Sequence, residues 1–398
     1  MKSPKQGAKS QNFGSKAPRT KSQDFGSKEP GTKSQDRLPA SDSRRGRTDR
    51  SACKHLRTRQ NRFVFALGSL FLILCSWFPT PAASAQTGYE HRDGYTAQLV
   101  RVPVSHADTA TGYLLIPDSA MQAPAVLVLH DHGAHFSIGK EKMVCPIRPT
   151  EADSAAYAAI QQDARRWVNK FYDGMFVGDS LAKAGYVVLA IDAIYWGERQ
   201  QAALTSDSVA ISPKAYQPAY YLRHLRQYGE AWFETILCDD KACVDYLCAL
   251  PYVDSARIAA FGFSMGAFRA WQLAACDTRV KVCVAANWMT TQSDHLGGTR
   301  LPSDATPSAY SMYRPDCPKD YPKTAARIAP RPFLLLYGEQ DPLFTQDSVQ
   351  AAIRTINARY HDSLPAAHGL FKVQSMPYRH FFSREHWDAT KNFFAKYL

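Results

Sequence analysis

Gly262-Phe263-Ser264-Met265-Gly266 is where chemistry is first expected in this chain. The five residues close the apolar run RIAAFGF and open the segment AFRAWQLAA, so the serine stands where a strand turns sharply into a helix. A turn of that kind leaves the hydroxyl exposed at its tip, with glycines where side chains would collide. The helix N-terminus beyond it, beginning with the amide of Met265, directs unpaired N–H groups at any negative charge that develops on a bound carbonyl. A serine hydroxyl is a weak nucleophile on its own. It needs a base, and the base needs a carboxylate to orient it.

Both partners are expected downstream of the serine. The strand FLLLYG is followed by Glu339-Gln340-Asp341-Pro342, which makes Asp341 the expected carboxylate and Glu339 the reserve. The competing reading of Asp341 is a turn-capping carboxylate before Pro342. Among later histidines, His361 and His368 precede the strand GLFKVQSM, and His386 falls inside the last helical segment. His380 lies in the loop between them and is the expected base. His386 could cap, pack or face solvent, with at most about 1 kcal/mol of stability at stake.

The loop His130-Asp131-His132-Gly133-Ala134-His135-Phe136 follows the third strand, where the second half of an oxyanion hole is usually found. Gly133 lets the backbone turn inward, and the Ala134 amide is expected to join that of Met265. His130, His132 and His135 also spell H-x-H-x-x-H, which resembles a binuclear metal site. That motif carries Asp before its last His, where this chain has Ala134, and it leaves the serine elbow unexplained. Local hydrogen bonding that shapes the loop is the preferred reading, with no metal and no cofactor. His132, Trp196, Trp288 and Met289 follow strand ends and are candidate pocket residues, although the tryptophans and methionine would serve equally as core.

These residues must be held by the elements around them. YTAQLVRVPV (95–104) and GYLLIP (112–117) read as early antiparallel strands. APAVLVLHDHG (123–133), YVVLAIDA (186–193), RIAAFGFS (257–264), VKVCVAANW (280–288), RPFLLLYG (331–338) and GLFKVQSM (369–376) are apolar runs suited to strands buried on both faces. Helical segments fall between them at 164–185, 232–250 and 383–398. The expectation is an α/β fold, a mostly parallel eight-stranded sheet flanked by helices. Residues from about 200 to 230, with Tyr216, Tyr220, Tyr221 and Tyr228, lack a strand and are expected to form a cap or pocket wall.

The formal charge of +12 suggests a nucleic-acid partner until its distribution is examined. Residues 1–62 hold 17 of the 48 Lys/Arg and 5 of the 36 Asp/Glu, leaving 31 of each for the rest of the chain. The folded part has no excess of basic residues to follow a phosphate backbone. The early segment repeats KSQNFGSKAPRT (9–20) as KSQDFGSKEPGT (21–32), too polar to bury a core, and residues 1–60 are expected to be a disordered basic tail. Then come a basic flank, the apolar run FVFALGSLFLILCSWF (63–78), and Ala83-Ser84-Ala85. That grammar is a signal peptide over 61–85, cleaved after Ala85, so residues 86–398 would form one exported domain, periplasmic or extracellular, with no stable membrane anchor. Cleavage leaves seven cysteines, Cys145, Cys238, Cys243, Cys248, Cys276, Cys283 and Cys317, without zinc-type spacing.

Taken together, HDHGAHFSIGKEK (130–142), IDAIYWGERQ (191–200), VDYLCALPYVDSARIAAFGFSMGAFRAWQLAACDTRV (244–280), APRPFLLLYGEQDPLF (329–344) and RHFF (379–382) resemble the dienelactone-hydrolase and acetyl-xylan-esterase-like branch of the α/β-hydrolases. The resemblance runs from about residue 95 to the end. It implies a Ser-Asp-His esterase without metal or cofactor, carried here by Ser264, Asp341 and His380. The branch sometimes uses cysteine as nucleophile, and serine in its place favours esters over dienelactone chemistry. Export suits an acylated carbohydrate or another small ester as substrate. The rival readings are a metallohydrolase on the histidine cluster and a non-catalytic binding protein on the same fold. N-terminal sequencing of the exported protein should begin near Gln86, and recovery of the repeat still attached would overturn the processing scheme.

Overall fold

Runs of aliphatic residues without polar alternation can be buried on both faces, and here they assemble side by side. The computed structural model describes residues 88–398 except 151–152, 201–223, 225–228, 230–231, 298–319 and 363–364. The described residues belong to one unit, Ser76–Leu398. The expected repeat tail and signal segment, Cys317 and the stretch with Tyr216, Tyr220, Tyr221 and Tyr228 lie outside them.

The strands are β1 (Tyr89–Arg92), β2 (Tyr95–Pro103), β3 (Thr109–Pro117), β4 (Ala123–Leu129), β5 (Val187–Ile191), β6 (Val253–Phe263), β7 (Val280–Ala286), β8 (Phe333–Gly338) and β9 (Phe371–Met376). They form one sheet in the order β1-β2-β3-β5-β4-β6-β7-β8-β9. The first three pair antiparallel, β3 meets β5 antiparallel, and the remaining pairings are parallel. The sheet has nine strands rather than the expected eight. The addition, β1, is the four-residue edge strand YEHR, too short and polar to leave a pattern in the sequence. The Arg92 side chain ties it to Asp179 at 3.0 Å and to the carbonyls of Cys145 and Pro146.

Alternate residues of each central strand enter opposite cores. Leu127 and Leu129 face the layer built by α3 (Trp232–Cys248), α4 (Met265–Cys276) and α7 (Gln346–Asp362). Val126 and Val128 face α1 (Ser154–Phe171), α2 (Val177–Lys183) and α8 (Arg384–Tyr397). Two short helices, α5 (Gln292–Gly297) and α6 (Tyr321–Ala325), precede β8. The helix expected over 164–185 is in fact two. It starts earlier, where the Asp153 carboxylate accepts from the Ala155 amide, and breaks at Asp173 and Gly174, both at positive φ. The alanine-rich first turns carry little apolar periodicity, which is why the early start left no signal. Among the described cysteines, Cys145, Cys243, Cys248, Cys276 and Cys283 are free thiols.

Charged side chains join helices inside the core. Arg269 on α4 is 3% exposed and grips Asp240 on α3 through two bonds, Nε–Oδ2 3.1 Å and Nη2–Oδ1 2.6 Å. Burial pushes the Asp240 carboxyl up, and Arg269 opposes that shift. Removing one partner strands the other charge in the core. Asp240→Ala should cost about 3–5 kcal/mol by urea denaturation, and replacing both members, Asp240→Leu with Arg269→Met, should recover most of it.

Candidate active site

The turn between β6 and α4 fits only because two positions lack side chains. A β-carbon on Gly262 would stand 2.0 Å from the Gly266 carbonyl oxygen, and one on Gly266 would stand 1.8 Å from the carbonyl oxygen of Leu129. Between them Ser264 adopts φ 56° and ψ −126°, a left-handed backbone unusual for a residue with a side chain. Its N–H is held by Ala286 O on β7 at 2.8 Å. Such strain persists where the surroundings over-determine it, and it projects the hydroxyl from the carboxyl end of the sheet. Met265, the first residue of α4, has no intrahelical acceptor for its amide.

Ser264, Asp341 and His380 are brought together. The His380 ring lies with Nε2 2.8 Å from Ser264 Oγ and Nδ1 2.7 Å from Asp341 Oδ2. The carboxylate fixes the tautomer: Nδ1–H donates to Asp341, leaving Nε2 to accept the serine proton. Asp341 is itself held, its Oδ1 accepting the Leu343 amide at 2.9 Å. Glu339 is exposed and takes no part. The loop carrying His380 is moored by backbone bonds, with the Gln340 amide donating to Tyr378 O at 3.1 Å and the Phe382 amide to Phe171 O at 2.9 Å. Gly338 admits it, since a β-carbon there would meet Tyr378 O at 2.6 Å.

The oxyanion assignment to Ala134 needs correction. The Ala134 amide donates to Nδ1 of His132 at 3.0 Å and is already engaged. Residues 133 and 134 both take positive φ, which curls the amide back onto the preceding ring. The three histidines of the loop point to separate partners. His130 donates from Nδ1 to Asp131 O at 2.8 Å and accepts the Ala193 amide on Nε2 at 3.0 Å, so neither nitrogen is left for a ligand. His135 bonds Asp163 at 2.7 Å and stacks on Trp167. Among the described residues, no three His, Cys, Asp or Glu side chains converge as a metal site. Burial, with Arg269 and Lys142 nearby, holds the His130 pKa far down, and burial with Lys142 brings His132 to about 3. Both rings are neutral at physiological pH.

Trp196, Trp288 and Met289 were candidate pocket residues and are buried. Trp196 packs edge-on to the half-buried His132 ring and donates from its indole to His132 O at 3.2 Å. Trp288 packs among Phe268, Tyr321 and Phe344, and Phe344 in turn approaches the His380 ring.

Several residues that support the site escaped the sequence reading. Lys140 and Lys142 are fully buried, although lysines in a polar loop suggest solvent. Burial pulls Lys140 down, but Asp192 at 2.8 Å and Glu141 at 3.0 Å outweigh it and keep the ammonium charged. Asp131 receives Tyr172 Oη at 2.5 Å and Trp167 Nε1 at 3.1 Å, beside Lys142 at 3.6 Å. The only available sign was the position of KEK inside the quoted motif.

His386 also departs from its expected minor role. Its ring is wholly buried, with Nδ1 accepting the Ser383 amide at 3.1 Å and Nε2 donating to Asn287 Oδ1 at 3.3 Å, while the Ser383 hydroxyl caps the helix. Burial lowers its pKa from 6.5 to about 4. The unfolded chain therefore takes up this proton first, and the folded state loses stability as pH falls from 6.5 towards 4. The share of this one ring is about 3 kcal/mol. Denaturation at stepped pH should show His386→Gln less stable than the parent near neutrality, with the gap narrowing across that window.

The family model for the dienelactone hydrolase family matches residues 167–398. YtaP of Bacillus subtilis (strain 168), assigned as a hydrolase, is 25% identical over 274 residues, which is 68% of this chain and 78% of that protein. The crystal structure of a protein assigned as an acetyl xylan esterase, from Bacteroides fragilis NCTC 9343, aligns with a TM-score of 0.52 at 19% identity, covering 75% of this chain and 71% of that one. A promiscuous CE15 esterase from a marine bacterial metagenome aligns with a TM-score of 0.51 at 15% identity, covering 78% and 84%. Both structural likenesses are of fold.

Proposed function

This chain belongs to the dienelactone hydrolase family and is a hydrolase, and from that premise we propose that it is an exported serine esterase acting through Ser264, His380 and Asp341. The observation that carries the reading is the unbroken hydrogen-bonded chain from Ser264 Oγ through the His380 ring to Asp341, at 2.8 and 2.7 Å. His380 Nε2 takes the hydroxyl proton as Oγ attacks the ester carbonyl. Negative charge gathers on the carbonyl oxygen and is met by the Met265 amide and an amide from the loop after β4. His380 then protonates the departing alcohol, and a water attacking by the same route in reverse frees the acid and restores Ser264. Asp341 keeps the imidazole in register and stabilises its charged form.

The signal-like pattern at 61–85 and the esterase assignments of the structural relatives support a small or carbohydrate ester as substrate. Ser264→Ala should reduce turnover on p-nitrophenyl acetate by about 10⁴–10⁶. His380→Ala should fall nearly as far, and the double variant scarcely further, because the residues act as a unit. A fluorophosphonate should label Ser264 alone. Labelling elsewhere, or turnover that survives Ser264→Ala, would remove the serine assignment.

A further inference from the structure

Lys142 has no part in the chemistry described above, yet its ammonium is fully buried. We propose that Lys142 is a positioning residue that presets the peptide planes of the oxyanion loop; the proposal rests on the reading of Ser264 as nucleophile. The ammonium donates to two successive carbonyls, Asp131 O at 3.1 Å and His132 O at 3.0 Å, and pairs with Asp131 Oδ1 at 3.6 Å. Its remaining contact is the face of Trp167, 4.7 Å to the ring centre.

Burying an ammonium to fill space is poor economy, since an unbranched apolar side chain would fill it without the desolvation cost. The charge must act on something, and what it touches is the loop backbone. In a trans peptide the C=O and the following N–H point in opposite directions. Turning the carbonyls of Asp131 and His132 towards the ammonium therefore turns the amides of His132 and Gly133 away from it. Trp196 at 3.2 Å and the His135 amide at 3.4 Å add further donors to His132 O. Helix α1, with Trp167, lies on the side of the ammonium. The elbow borders the start of the same loop, where Gly266 abuts the carbonyls of Leu129 and His130. A cation bound to a carbonyl also polarises the peptide and strengthens its N–H as a donor. The loop's oxyanion donor is thus among the amides trans to the held carbonyls and not the Ala134 amide, which is spent on His132.

The test is Lys142→Met in the full chain, assayed with p-nitrophenyl acetate and with an aryl trifluoromethyl ketone, whose adduct on serine places an oxyanion in the hole. The expected result is kcat lower by about 100-fold, the scale of one lost oxyanion donor, with KM within about threefold. Affinity for the ketone should fall by the same factor as kcat. A fall in kcat with ketone affinity unchanged, or a variant that keeps its turnover, would overturn the proposal. Failure of the underlying reading is seen separately, in the unmutated chain, as a ketone or fluorophosphonate that does not modify Ser264. Should Lys142→Met not fold, Trp196→Phe removes only the indole donor to His132 O. It should lower kcat and ketone affinity together by about fivefold, roughly one neutral hydrogen bond. A change confined to melting temperature would count against the proposal.

Discussion

The site depends on one tight contact: Gly266 presses against the last carbonyl of β4, where no β-carbon can stand. That contact makes β4 and β6 neighbours at their carboxyl ends and brings the start of α4 up to the loop after β4. The N-terminus of α4 and the loop after β4 are thereby brought together next to Ser264. Ser264 bears the strain of the turn, of order 1–3 kcal/mol for a left-handed residue with a side chain. Its amide bond to β7 and the parallel pairing of β6 on both sides hold it there. Positioning is the larger part of what such a site must achieve, because the reacting groups need little beyond being in register.

The electrostatics around the elbow follow from burial. His130 and His132 sit beside Lys142 in a region poor in water, and both are held neutral by desolvation with the nearby cationic charge adding to it. They can shape the loop as donors and acceptors without taking up a proton themselves. His380 differs in having Asp341 at one nitrogen and the serine at the other. An imidazolium formed there has a carboxylate waiting for it. One loop thus carries three histidines that cannot be mistaken for one another once their neighbours are known.

Much of the candidate site's geometry was legible in the sequence, because the elbow that builds it is local. The elbow at 262–266 is written in five residues with strand before and helix after, and Asp341 and His380 stand at strand ends that periodicity alone locates. What was not legible was set by contacts distant in the chain. Lys140 meets Asp192 from 52 positions away, and His386 meets Asn287 from 99. No pattern of hydrophobicity marks a lysine that will be buried against a carboxylate not yet in view. The Ala134 amide was misassigned because a loop's peptide planes depend on which side chains reach its carbonyls. The eight-strand count failed at β1, whose four polar residues are strand only because β2 is beside them.

The two loops that meet at Ser264 are held by different physics. The loop bearing His380 is fixed by backbone, with its Tyr378 carbonyl accepting the Gln340 amide, its Phe382 amide donating to Phe171 O, and Gly338 clearing the space. Such bonds are insensitive to side-chain identity, so the mooring itself asks for a particular residue only at Gly338. The loop after β4 has backbone bonds too, from His135 N to His132 O and from Gly197 N to Phe136 O, but it adds side chains: Lys142 and Trp196 on its carbonyls, and Trp167 and Tyr172 on Asp131. Its amide directions are consequently set in part by buried side chains distant in the chain. A base must supply a ring at one point, which a tethered backbone can do. An oxyanion hole must supply amides aimed in space, and aiming an amide means gripping the carbonyl on its other side.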